Sequence, residues 1–209
     1  MEEIWQSIIE YAKAMVLLEF LGLIFGLLCV YFLIKEKVIN FAFGIAYVLV
    51  SFFVFWDIQL YGDFILHIFF LVLNIYGWYY WVKGKTNKNH LQISDLNRTE
   101  LFRYAVLTLL GILIFGFFLQ HITYFFPTIE PSSLPYWDAT TSIVSVTGMW
   151  LTAKKKIENW HCWLIVDILS TGLYIYKGIY FYAFLYLIYI FMAFSGFIAW
   201  RKTFQAQPI

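Results

Sequence analysis

Charge is what this sequence is shortest of. Only 13% of its 209 residues are Asp, Glu, Lys or Arg, about half the share usual in a soluble domain. Hydrophobic residues make up 62% and aromatic ones 23%. With a mean hydropathy of +0.74, the chain belongs in a bilayer, and with so little polar sequence left over, catalysis in an aqueous domain is not expected. Cysteine is nearly absent: Cys29 and Cys162 fall inside apolar stretches, with no C-x-x-C and no Cys/His grouping, so neither a disulfide framework nor a zinc site is indicated. His67, His90, His121 and His161 lie in four separate segments without metal-ligand spacing. Nucleotide-binding and nucleophile motifs are missing. No metal, no cofactor and no nucleic-acid partner is expected. Residues 1–13 carry Glu2, Glu3 and Glu10 against a lone Lys13, without the basic start and cleavage site of a secretory signal, and read as an interfacial helix.

What remains is seven apolar segments. They run approximately Ala14 to Ile34, Val38 to Trp56, Phe64 to Val82, Tyr104 to Phe126, Trp137 to Ala153, Trp160 to Tyr176 and Ile179 to Trp200, each near the ~20 residues a bilayer needs. The chain therefore reads as an all-α integral membrane protein with seven transmembrane helices. Basic residues orient it. Lys35, Lys37, Lys83, Lys85, Lys88, Arg98, Arg103, Lys154, Lys155, Lys156, Arg201 and Lys202 fall on one side, and only Lys13 and Lys177 on the other. By the positive-inside rule the N-terminus is outside and the C-terminus inside.

An internal repeat appears when residues 19–83 are laid without gaps on 138–202. Lys35 then meets Lys154, Lys37 meets Lys156, Asn40 meets Asn159, Ser51 meets Ser170, Tyr61 meets Tyr180, Gly77 meets Gly196, Trp81 meets Trp200 and Lys83 meets Lys202. Three spans reverse the chain, so two copies share an orientation only if one further span separates them; Tyr104 to Phe126 is that span. The expected divisions are the interfacial helix 1–13, a first three-helix repeat 14–83, a cytoplasmic loop and linker helix 84–126, and a second repeat with a short tail 127–209. This parallel 3+1+3 order is SWEET-like, an arrangement that places substrate near the midplane between the repeats.

The candidate substrate site centres on Asp167. At helical spacing Trp160, Trp163, Asp167, Ser170 and Tyr174 share one stripe. An acid inside a transmembrane helix costs roughly 2.5–3.5 kcal/mol on insertion scales, and so by default marks function. At 1.5 Å per residue, Asp167 lies roughly 12 Å from the Asn159 end of its helix and Asn74 roughly 13 Å from Lys83. In the repeat Asp167 corresponds to Val48 and Asn74 to Ala193, so a pseudo-symmetric scaffold carries an asymmetric site. His67 lies one heptad before Asn74 on the same face. Trp78, Trp81 and Trp200 read as an interfacial aromatic belt. The full candidate set is Asp167, Trp163, Asn74, His67, Trp160, Ser170 and Tyr186.

Four stretches carry a resemblance: Asn74-Ile75-Tyr76-Gly77-Trp78-Tyr79-Tyr80-Trp81, Pro135-Tyr136-Trp137-Asp138, Lys156-Ile157-Glu158-Asn159-Trp160-His161-Cys162-Trp163 and Tyr176-Lys177-Gly178-Ile179-Tyr180. They look like signature stretches of the PnuC family of bacterial vitamin transporters, over nearly the whole chain. The resemblance implies a SWEET-like seven-span fold in the cytoplasmic membrane, a homotrimer, and facilitated diffusion of an unphosphorylated vitamin that a cytoplasmic kinase then traps. It implies nicotinamide riboside as first substrate, thiamine next and riboflavin more remotely. The nicotinamide riboside pattern has Gln where this chain has His67 and Asn where it has Asp167. Both differences fall in the candidate pocket and leave thiamine open, since both vitamins are organic cations that a carboxylate and an aromatic box could hold. The alternatives from another class are a channel-like or structural membrane protein, or a membrane-embedded enzyme pairing Asp167 with His67 or His161.

Overall fold

The computed structural model describes residues 2–14, 17–57, 61–86, 91–127 and 132–207, and every regular element among them is an α-helix. These are α1 (Glu2–Ala14), α2 (Leu17–Ile34), α3 (Ile39–Asp57), α4 (Tyr61–Thr86), α5 (Arg98–Gln120), α6 (Ile122–Phe125), α7 (Pro135–Ala153), α8 (Asn159–Tyr176) and α9 (Tyr180–Gln205). The chain is an all-α, multi-pass membrane protein. By length and hydropathy alone, α2, α5 and α9 qualify as membrane-crossing among the described residues. α3 is apolar over the shorter stretch Ile39–Phe53.

Caps set the ends that hydropathy misplaces. α5 starts at Arg98 instead of Tyr104 because Asn97 and Glu100 form a reciprocal capping box: Glu100 N donates to Asn97 Oδ1 at 2.8 Å and Asn97 N to Glu100 Oε2 at 3.2 Å. It stops at Gln120 instead of Phe126, where His121 N–H donates to both Phe117 O and Phe118 O and the chain turns into the short α6. Pro135 opens α7 within its first turn, where a missing N–H costs nothing.

The long helices touch in a cyclic order. α2 packs on α3, α3 on α4, α4 on α7, α7 on α8, α8 on α9, and α9 returns to α2; α5 lies outside against α7, and α1 against α9. Positions 119 residues apart share local geometry across this ring. Glu36 and Lys155 both take a positive φ, 54° and 55°, and are joined by an ion pair of 3.1 Å. Asn40 Nδ2 donates to Lys37 O at 2.7 Å and Asn159 Nδ2 to Lys156 O at 2.6 Å. A Cβ on Gly77 would run into the ring of Phe41, and one on Gly196 into the ring of Trp160. Both glycines are needed for close approach.

One end of the ring is sealed. Trp81 Nε1 donates to Ala153 O and Trp200 Nε1 to Leu33 O, each at 3.1 Å, so each indole reaches across to the other half of the chain. The two rings lie 6.1 Å apart inside a buried cluster with Leu33, Phe41, Ile93, Ile157 and Trp160. This corrects the belt expected from sequence: Trp81 is 2% and Trp200 0% exposed, and only Trp78, at 39%, shows a substantial exposed surface. Residues 91–97 strap this end. Ser94 bridges to Lys156, Leu96 N donates to Glu158 Oε1 at 2.9 Å, and the Gln207 carboxamide faces Ile93 O and Ile93 N at 3.0 and 3.1 Å. The α2–α3 turn, the strap, the α7–α8 turn and the C-terminal tail thus meet at the Lys-rich end.

Candidate functional site

Above the sealed end, the inward faces carry the polar residues. Asp167 lies mid-way along α8 and is 6% exposed, and among the described residues no cation and no side-chain hydrogen bond reaches its carboxylate. Its neighbours are phenols: Tyr186 and Tyr189 of α9 are within its electrostatic reach, and Tyr47 of α3 is within theirs. Tyr47 lies 5.7 Å, ring to ring, from His67 on α4. The ring of helices thus places Asp167, Tyr186 and His67 around one region, although they come from different helices. Ser170, one turn on from Asp167, is buried on the same face of α8.

Asn74 is buried, with Nδ2 donating to Phe70 O at 2.8 Å. Its other amide atom rests against α3, where a Cβ on Gly44 would collide with Oδ1. Trp163 is half-buried, lies against Gly148 of α7, and donates from Nε1 to Thr152 Oγ1 at 3.3 Å. Large and small residues are exchanged between the halves: 119 residues on from Gly44 stands Trp163, and 119 on from Asn74 stands Ala193. The two halves of the central space therefore differ in shape as well as charge.

Trp160 is placed elsewhere. It is 0% exposed, edge-on to Trp200 at 5.5 Å, and seated over Gly196 within the sealed cluster. One helical turn separates it from Trp163, and that turn takes it from the half-open region into the closed end. Sequence reasoning missed Tyr47, Tyr189 and Gly44. Tyr189 was within reach, since it follows Tyr186 by three residues on the same helix face. For Tyr47 and Gly44 no signal existed, because only packing decides which apolar or small residue of α3 meets α4 and α9.

Chemically, the arrangement offers a buried acid, tyrosine rings on the neighbouring helix and the buried polar side chains of His67, Asn74 and Ser170. Such a site favours a cation with an aromatic body.

Comparison with known proteins agrees in class. Residues 16–202 match the sequence profile described as nicotinamide mononucleotide transporter. The chain is 29% identical over 204 residues to the nicotinamide riboside transporter PnuC of Escherichia coli, covering 89% of this chain and 85% of that one. It is 25% identical over 141 residues to the riboflavin/roseoflavin transporter RibM of Streptomyces davaonensis, covering 66% and 64%. The crystal structure of the vitamin B3 transporter PnuC superposes with a TM-score of 0.74 over 98% of this chain and 89% of that one, at 20% identity, so the two share a fold. With nearly its whole length inside that profile, the chain belongs to the nicotinamide mononucleotide transporter family, the PnuC-type vitamin transporters.

Proposed function

We propose that this protein carries a cationic vitamin across the bacterial cytoplasmic membrane by facilitated diffusion. Nicotinamide riboside is the first candidate, and a cytoplasmic kinase traps it after entry. The observation that carries the reading is Asp167, a buried acid that pairs with no cation among the described residues. Leaving such a charge uncompensated is costly, and a positively charged substrate would offset the cost. Asn74, Trp163, His67, Ser170 and Tyr186 complete the proposed site, and Trp160 supports it from below. The name of the Escherichia coli relative favours the riboside. Thiamine is the second reading, favoured by the carboxylate at Asp167, which gives a permanent cation a fixed counter-charge. Nothing in the family makes the chain an enzyme.

The architecture we infer has seven crossings, α2 to α5 and α7 to α9, as two parallel three-helix repeats joined by α5, with α1 lying at the interface. The shared geometry at positions 119 residues apart and the cyclic packing support it. The Lys-rich end then faces the cytoplasm, and assembly as a homotrimer follows from the family resemblance. A reporter fused after Ile209 is expected to be active in the cytoplasm and silent outside; the opposite pattern would overturn the span count or its direction.

Transport is tested in vesicles containing only this protein. Labelled nicotinamide riboside is expected to exchange until internal and external concentrations are equal, and collapsing proton and sodium gradients should change nothing. Accumulation driven by either gradient would refute facilitated diffusion, and release of an altered product would refute a transporter.

A further inference from the structure

At the end of the ring opposite the Lys-rich loops lies a cavity of about 360 Å³ that no role assigned above uses, lined by Ser7 and Tyr11 of α1 and by residues 178–182 at the α8–α9 turn. Its walls are aromatic. Tyr11 stacks on Phe181 at 4.9 Å and donates from its hydroxyl to that of Tyr182 at 3.2 Å. The rings do not stop at the cavity. Tyr182 stacks on Tyr174 at 5.3 Å, Tyr174 on Tyr186 at 5.4 Å, and Tyr186 meets Tyr189 edge-on at 5.8 Å. The Tyr189 hydroxyl and the Tyr47 ring both lie against Gly26 of α2, and Tyr47 leads to His67.

Accessibility runs the same way. Along the inward stripe of α9, Tyr182, Tyr186 and Tyr189 are half-buried, whereas Ala193, Gly196 and Trp200, further along the same stripe, are buried. The stripe is thus half-buried from Tyr182 to Tyr189 and buried beyond it. The cavity end is also acidic. α1 carries Glu2, Glu3 and Glu10 against Lys13, and Glu19 at the start of α2 is within electrostatic reach of Tyr182, so the acids outnumber Lys13 and Lys177, the latter beside Gly178 of the lining. A row of phenol faces 5–6 Å apart under a negative rim suits an aromatic monocation, which each ring can hold by stacking and cation-π attraction and pass to the next.

We propose that the cavity between α1 and the α8–α9 turn is a separate entrance site for an aromatic cation, and that Tyr182, Tyr174, Tyr186 and Tyr189 form the ladder along which it reaches the central carboxylate. The proposal rests on the reading of the substrate as such a cation. It adds a site outside the central one, with Tyr11 as its ring and α1 as its wall.

The test compares Ser7→Trp, which fills the cavity, Tyr11→Ala, which removes its ring, and Tyr11→Phe, which keeps it. Uptake of labelled nicotinamide riboside into vesicles is measured far below and far above half-saturation, and equilibrium binding is measured on detergent-purified protein of checked thermal stability. Ser7→Trp and Tyr11→Ala are expected to lower kcat/KM about 3- to 10-fold. The saturating rate and the equilibrium affinity of the central site should stay within about twofold, with Tyr11→Phe like the parent. Binding of 1-methylnicotinamide, a bare aromatic cation, to Asp167→Asn protein should leave a weak site that Tyr11→Ala then abolishes. Parent-like kcat/KM in both Ser7→Trp and Tyr11→Ala overturns the entrance site, as does an equal fall in saturating rate and central affinity, which would make α1 merely structural. Asp167→Asn measured alongside reports on the central site alone, so that loss of the central reading shows as unchanged vitamin affinity in that variant.

Discussion

Asp167→Asn is expected to weaken a cationic vitamin by roughly 1.5–3 kcal/mol, the worth of a hydrogen bond to a charged group, or about 10- to 150-fold in affinity. The substitution keeps the shape of the side chain and removes the charge. Because the carboxylate is buried and pairs with no cation among the described residues, the substrate's positive charge is the group that gains most from it. An uncharged analogue should lose little or nothing. Trp163→Ala should weaken charged and uncharged ligands more evenly, since stacking depends less on net charge. Thermal stabilisation of detergent-purified protein by thiamine, nicotinamide riboside and the neutral analogue measures all three at once. A shift of preference toward nicotinamide riboside in Asp167→Asn would identify thiamine as the native substrate. Unchanged affinity for all three ligands in a folded protein would make Asp167 a structural acid and remove the centre of the proposed site.

Trp200→Ala carries the largest expected cost to stability. The indole is fully buried and packs edge-on against Trp160, and its N–H satisfies Leu33 O across the seam between α9 and α2. Truncation leaves a large cavity and removes one of the two hydrogen bonds to Leu33 O, which keeps the Glu36 N–H at 2.9 Å; the cost is about 3–5 kcal/mol, most of it from the cavity. For a chain of this size that is roughly 6–20 °C in thermal midpoint. Trp81→Ala should behave alike, because Trp81 makes the same bond to Ala153 O from the other half. Trp78→Ala, at an exposed position three residues away, should change the midpoint little. Equal effects at Trp78 and Trp81 would restore the interfacial belt and contradict the sealed end.

The comparison of these three tryptophans shows where reading by pattern runs out. Periodicity puts Trp78 and Trp81 on one stripe with Asn74, and composition makes any tryptophan near a helix end look like a belt residue. What separates them is a neighbour supplied by a distant part of the chain: Gly77 and Gly196 admit rings from α3 and α8, and the strap at Ile93 closes over Trp81 and Trp200. The same holds for Trp160, which shares a stripe with Asp167 yet is taken into the sealed cluster. Helix ends were displaced for a local reason. Hydropathy sees the apolar part of α5, whereas the capping box at Asn97 and Glu100 begins the helix in polar sequence that hydropathy discounts.

By itself the sequence determined membrane residence, helix as the only regular structure among the described residues, and, through its motifs, the family. The first two rest on composition and short-range spacing, because hydrophobic transfer and helical periodicity act locally along the chain, and the family rests on the resemblance of its motif stretches. Tertiary structure alone decided which aromatic rings seal one end and which line the other, that Gly44 makes room for Asn74 while Trp163 stands in the corresponding place of the second half, and that Tyr47 and Tyr189 meet over Gly26. The physical reason is that in a chain with 23% aromatic residues nearly every helix face offers a ring. Steric fit between helices far apart in sequence, and no property of the rings themselves, selects which of them become wall, seal or site.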